Sequence, residues 1–393
     1  MLKKLSLLLV AICISTITFA APQPQLLPPA PSLNATAYVL MDANSGKILA
    51  QKNMNAQHEP ASLTKLMTLY LTFRAIKNGT IKPTDTVLIS KKAWHMGGSK
   101  MFVKVGDRVP VDLLIQGVIV DSGNDATVAL AQDIGGTEQS FVNMMNQQAQ
   151  ALGMTQTHFV DSTGLPDPNH VSTAYDLALL ARAIITNFPN DYHYFSQKWL
   201  TYNKIKQPNR NRLLWRFTGA DGLKTGHTSE AGYCLIASAK NPQGMRLISV
   251  VLGTPSDEAR ASDSMALLRY GFHFFTTKSL YAANTPVTQA RIWGGEKKML
   301  NVGVKDPLYF TSTTAQANQV RTTIVLNSPI NAPVKKGQAI GKVNVIVNGQ
   351  TVQTVPLIAL EADTKGGIFR RSTDHVEGWF HHSKKPVAKP AAK

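Results

Sequence analysis

Three short strings in this 393-residue chain carry side chains that could transfer an acyl group together. In Ser62-Leu63-Thr64-Lys65 a hydroxyl and an amine stand three positions apart, at the start of a run with helical apolar spacing. On a helix they lie one turn apart and face the same way. An alkyl hydroxyl is a weak nucleophile until a base removes its proton, and a buried lysine with its pKa lowered by burial and nearby cations can do so. Ser122-Gly123-Asn124 offers a second hydroxyl for relaying a proton and an amide for orienting a substrate. Lys224-Thr225-Gly226 adds a cation that disfavours protonated Lys65 and attracts an anionic substrate end. Each string alone is weak: a chain this long shows roughly one Ser-x-x-Lys by chance. Ser62 taken singly reads as a helix N-cap. Their order, and the elements they fall on, give them weight.

Those elements follow from the pattern around them. Tyr38–Asp42 and Lys47–Ala50 read as two strands about the turn Ala43-Asn44-Ser45-Gly46. Leu63–Lys77 reads as a helix stopped by Asn78-Gly79. Leu113–Val120 and Ala126–Ile134 read as helices broken at Asp121-Ser122-Gly123-Asn124, with further helices at Phe141–Leu152 and Ala174–Ile185. Gly232–Ala239 and Arg246–Gly253 are strand-like, and a helix follows from Asp257 to about Phe275. Strands at both ends with helices between predict an α/β domain over residues 33–275. The Val- and Ile-rich runs Val320–Leu326, Ala339–Val347 and Val352–Ile358, the last two joined by Asn348-Gly349, predict a small β-sandwich over 283–362.

The ends of the chain speak to compartment. Met1-Leu2-Lys3-Lys4, an apolar run to Phe19 and the small Ala20 predict a signal peptide over 1–20, too short for a span of about 20 residues plus flanks. The remaining chain has one cysteine, Cys234, so it can form no internal disulfide, and Cys234 reads as a small core residue. A formal charge of +17 favours anionic partners, but the basic residues are scattered, which speaks against a nucleic-acid surface. In residues 366–383, Ile368, Phe369, Val376, Trp379 and Phe380 can share a helical face, followed by a basic tail over 384–393. That predicts an amphipathic anchor on an anionic membrane leaflet, although Gly378 interrupts it. No His-Glu-x-x-His or clustered ligand set is present, so neither a metal nor another cofactor is expected.

The three strings resemble those of the serine β-lactamase and penicillin-binding superfamily. Pro60-Ala61-Ser62-Leu63-Thr64-Lys65-Leu66-Met67-Thr68, Ser122-Gly123-Asn124-Asp125-Ala126 and Asp221-Gly222-Leu223-Lys224-Thr225-Gly226-His227-Thr228 are similar to the low-molecular-mass D-alanyl-D-alanine carboxypeptidases. The likeness runs on through Asn209–Trp215, the Arg260 helix and the β-rich end. It implies a serine β-lactamase-like peptidase domain, an antiparallel sheet with helical clusters, followed by a small all-β sandwich. It further implies an exported, periplasmic enzyme that removes the terminal D-Ala from peptidoglycan stem pentapeptides and is acylated by β-lactams. In it Ser62 would be the nucleophile, Lys65 the general base and Ser122 a proton relay. Asn124, Lys224, Thr225, Gly226 and His227 would bind substrate, with the backbone N–H groups of Ser62 and His227 as oxyanion hole. Arg210 and Arg260 match arginines near the site. Thr127 departs from the cysteine some relatives carry there.

Two other functions compete with that one. A class A β-lactamase needs a Glu to activate the deacylating water. Between Asn124 and Lys224 the only Glu is Glu138, at the start of a different helix. A catalytically weak peptidoglycan-binding protein would not need the complete Ser, Lys, Ser, Asn, Lys set.

Overall fold

The computed structural model describes residues 27–368; the leader 1–20 and nearly all of the amphipathic segment and basic tail lie outside them. Strand-forming runs from the two ends of the first domain meet in one antiparallel sheet. Its strands are β1 (Ala37–Asp42), β2 (Ile48–Lys52), β3 (Ala220–Thr228), β4 (Gly232–Lys240) and β5 (Arg246–Thr254), in the order β2-β1-β5-β4-β3. Side chains alternate between faces along a strand, and both faces are covered. Val39, Met41, Ile236, Val250 and Leu252 pack into the larger apolar core. Leu40, Leu235, Ala237, Leu247 and Val251 pack into a second core on the opposite side.

The larger core holds α1 (Lys65–Lys77), α2 (Asn124–Gly135), α3 (Glu138–Ala151) and α4 (Ala174–Asn187). The second core lies under α5 (Asp257–Phe274). Helix α1 is buried on nearly every side from Lys65 to Phe73, as expected of an apolar helix running through a domain's centre. The break between Leu113–Val120 and Ala126–Ile134 is more specific than the sequence suggests. Val111–Gln116 is α-helical, Gly117–Asp121 is a π-turn, and Ser122 leaves it with φ 58°. π-Turns of this kind favour functional sites.

Helix α5 runs directly into β6 (Phe275–Tyr281), which pairs with β9 (Leu308–Thr313). A five-stranded sheet follows in the order β7-β8-β12-β11-β10, from β7 (Thr288–Arg291), β8 (Met299–Gly303), β10 (Val320–Leu326), β11 (Ala339–Val347) and β12 (Gln350–Ala359). Val343, Val345, Leu357 and Ala359 supply its core. Asn348 and Gly349, both at positive φ, form the tight turn expected between β11 and β12. The β-rich region thus begins at Phe275, earlier than residue 283, because β6 finds its partner only in β9.

Candidate active site

Ser62 lies in a single 3-10 turn, Ala61–Thr64, that leads into α1. No side chain caps either helical start, so Ser62 is not an N-cap. Lys65, the first residue of α1, is fully buried, and its Nζ lies 2.7 Å from Ser62 Oγ and 2.7 Å from the Thr163 carbonyl oxygen. Burial pushes the Lys65 ammonium down to about 7; Asp161 and Asp125 pull it up, and Arg210 pushes it down.

The Thr163 carbonyl is placed by a turn that carries no catalytic motif. The Asp161 carboxylate accepts the backbone N–H groups of Thr163 and Gly164 at 2.6 and 2.7 Å, the Asx-turn its residue type favours. Thr68 Oγ1 donates to the Ser162 carbonyl at 2.8 Å, fastening the same loop to α1. Gly164 sits at φ +83°, where a Cβ would fall 1.8 Å from the Ala61 carbonyl oxygen, so only glycine allows this approach. Glu138 accepts from the Ser162 hydroxyl at 2.6 Å and pairs with Lys92 at 2.7 Å. Its Oε1 thereby holds the loop, and its Oε2 is taken by Lys92.

Across the cleft, Lys224 on β3 is buried and its Nζ donates to Ser122 Oγ and to the Thr225 carbonyl, each at 2.9 Å. Burial, with the charges of Lys65, Arg210 and Arg260, holds its ammonium well below the usual lysine range. The left-handed turn at Ser122 aims that hydroxyl at Lys224. Thr127 Oγ1 donates to the Gly123 carbonyl at 2.6 Å, so the residue that departs from some relatives braces this turn. Asn124 donates its amide to the Gly97 carbonyl at 2.8 Å. Asp125 accepts the N–H groups of Met101 and Phe102 at 2.9 and 2.8 Å, which fixes the rim loop.

Strand β3 is the edge of its sheet and carries Lys224, Thr225, Gly226 and His227. An edge strand presents unpaired backbone groups to which an extended peptide can add. A Cβ on Gly226 would meet the Pro60 carbonyl oxygen at 3.0 Å, so the strand crosses closely over the Ser62 turn. The His227 ring packs 3.9 Å, centroid to centroid, from Tyr233. Arg260 donates to the Gly226 carbonyl at 3.0 Å and pairs with Asp257 at 2.5 Å. Arg210 donates to Ser99 Oγ at 2.7 Å on the opposite wall. All ten residues singled out from the sequence therefore sit around one cleft or on its walls. The Thr163 carbonyl, Asp161, Asp125 and Ser99 were missed, because backbone acceptors and turn carboxylates leave no motif of their own.

A serine–lysine pair at a helix start beneath an edge strand of a mixed α/β domain defines a serine β-lactamase-like peptidase, here followed by a β-sandwich domain. The chain belongs to the D-alanyl-D-alanine carboxypeptidase family Peptidase_S11, whose model matches residues 24–256. The penicillin-binding protein 5 C-terminal domain matches residues 275–365. Among curated proteins, the D-alanyl-D-alanine carboxypeptidase DacC of Escherichia coli is 43% identical over 360 residues, 90% of each chain. Penicillin-binding protein 5 of Haemophilus influenzae superposes with a TM-score of 0.80 at 42% identity, covering 86% of this chain and 100% of that one. Penicillin-binding protein D2 of Listeria monocytogenes, solved in an ampicillin-bound form, covers 62% of this chain and 100% of its own, at 33% identity and a TM-score of 0.57. The activity is that of the family, serine-type D-alanyl-D-alanine carboxypeptidase.

Proposed function

We propose that Ser62 attacks the carbonyl of the penultimate D-Ala in a peptidoglycan stem pentapeptide. The observation that carries this is a fully buried Lys65 amine 2.7 Å from Ser62 Oγ, with the Thr163 carbonyl engaging the same nitrogen. Neutral Lys65 donates one N–H to Thr163, which turns its lone pair to the Ser62 O–H. The proton moves to Lys65 as the C–O bond forms. The oxyanion faces the backbone N–H groups of Ser62 and His227. Ser122, held by Lys224, relays the proton taken up by Lys65 to the nitrogen of the terminal D-Ala as the C–N bond breaks, and the carboxylate of that D-Ala lies towards Lys224, Thr225, Arg210 and Arg260. Asn124, tied through its amide nitrogen to Gly97, turns its carbonyl to the stem's backbone. Water then hydrolyses the acyl-Ser62 ester.

A β-lactam would acylate the same hydroxyl, and its ester would hydrolyse slowly. Glu138 is committed to Ser162 and Lys92, so it is not a free base for that step. The decisive experiment pairs mass spectrometry after benzylpenicillin with D-Ala release from a diacyl pentapeptide. One penicilloyl adduct on Ser62 and stoichiometric D-Ala release are expected, both abolished in Ser62→Ala. Rapid catalytic turnover of benzylpenicillin would make it a β-lactamase instead.

The leader over 1–20 supports export to the periplasm, and residues 366–383 support peripheral attachment to the inner membrane. Among the described residues no helix is long and apolar enough to cross a membrane. Deleting 366–393 is expected to move the protein from the membrane fraction to the soluble one; unchanged fractionation would remove the anchor.

A further inference from the structure

Outside the catalytic residues, one cavity of about 430 Å³ opens beside the cleft, with Arg210, Arg212, Trp215, Asp257 and Arg260 in its wall. It touches both sides of the active site, through Arg210 on Ser99 and Arg260 on the Gly226 carbonyl. Trp215 is 44% exposed and Trp199 beside it 47%, their rings edge to face at 6.0 Å. Trp199 belongs to a hairpin in which it pairs with Pro208, another residue of the cavity wall. Lys206 lies 4.9 Å over Trp199 and Lys198 5.8 Å over Trp215, each covering one face of its indole. The same hairpin is tied to the rim loop, Gln207 Nε2 donating to the Lys100 carbonyl at 3.1 Å.

The wall is not a simple anion trap. Asp257 lies within it and pairs with both Arg212 and Arg260, each at 2.5 Å, so the cavity offers carboxylate acceptors beside guanidinium donors. Donors and acceptors together, next to the part-exposed indole of Trp215, suit a polyol with a flat C–H face. The C–H bonds of a pyranose carry partial positive charge and rest on the negative face of the ring system, while its hydroxyls and acetamido group take the polar partners. We propose that this cavity, with Trp215 in its wall, is a saccharide subsite for an N-acetylated glycan strand of the cell-wall polymer. The inference rests on the reading of the catalytic cleft given above, which puts the substrate's terminal carboxylate near Lys224 and Arg260. The cavity then lies beyond the leaving D-Ala. A stem peptide is joined to its own sugar at the opposite end, so the strand held here is a neighbouring one. It would anchor the enzyme on polymeric wall while a stem from the next strand enters the cleft.

The test titrates full-length protein with N-acetylglucosamine tetrasaccharide by calorimetry and compares D-Ala release from free pentapeptide with release from intact pentapeptide-rich sacculi. Saturable tetrasaccharide binding is expected, weakened about tenfold in Trp215→Ala, the loss of one stacking contact. The same variant should lose about tenfold in release from sacculi and keep its rate on free pentapeptide. Trp215→Phe, which retains an aromatic face, should fall between. No saturable binding, or equal losses on both substrates, would overturn the proposal. Salt-sensitive binding of polyglutamate without binding of the tetrasaccharide would overturn it in favour of an anion site. A wild type that releases no D-Ala from free pentapeptide would refute the catalytic reading instead, and the sugar titration would still report on the cavity.

Discussion

At the level of single residues, the working state of Lys65 turns on one proton. With the amine at about 7, half of it is neutral near neutral pH. Ser62 acylation by benzylpenicillin, followed by stopped flow, should therefore climb through pH 7 and level off about one unit above it. The same shift governs stability. The unfolded chain holds a lysine proton up to about 10.5, whereas the native chain releases it near 7, so stability rises with pH between those values. Lys65→Met should flatten that rise in thermal unfolding while abolishing acylation; Lys224, shifted in the same direction, keeps the rest of the slope. Asp121 behaves oppositely. It precedes Ser122, its Oδ1 is buried without a hydrogen-bond partner, and burial raises its pKa to about 7 despite Arg210. The native state keeps the proton that the unfolded chain loses near 3.8, so this carboxyl's contribution declines as pH rises towards 7. Asp121→Asn should raise the melting temperature more at pH 8 than at pH 5.

Secondary elements place these groups by close backbone approach. The loop carrying the Thr163 carbonyl rests on the Ser62 turn only because Gly164 has no Cβ. Gly164→Ala must push Thr163 away from Lys65, and a displacement near 1 Å should lower acylation about 100-fold. Gly153 provides the control: it too has positive φ, +79°, but a Cβ there would meet nothing within 4 Å. Gly153→Ala should cost about 1 kcal/mol in chemical denaturation and leave acylation unchanged. At this scale the helices and strands were readable from their apolar periods. The π-turn and the Asp161 turn were not, because their shapes depend on what they pack against.

In the molecule as a whole, the β-rich domain is attached through polar contacts and through Phe275, which is buried in the second core. Lys47 Nζ donates to the Thr311 carbonyl at 3.0 Å, and Thr277 Oγ1 donates to Asp42 at 2.7 Å. None of the ten cleft residues comes from that domain. The Listeria relative, which is matched over its entire length by 62% of this chain, shows that the peptidase fold occurs at this smaller size. A chain ending at Phe275, which keeps that core residue, should thus acylate with benzylpenicillin within about threefold of the full-length rate, as expected when domains meet through a modest interface. A loss beyond about 100-fold would mean that the interface holds the cleft in shape.

Residue type and order were legible in the chain: Ser62 with Lys65 one turn on, Ser122 with Asn124 at a break, and Lys224 on a strand. Local spacing suffices for these because helix and strand periods are local properties. Folding decided what surrounds Ser62, since a helix cap and a proposed nucleophile have the same residue in the same position. It did so by burying Lys65 against the Thr163 carbonyl and bringing Lys224 to Ser122 across 102 positions of sequence. Burial and long-range contact set a lysine's pKa, and neither is written in the residues beside it.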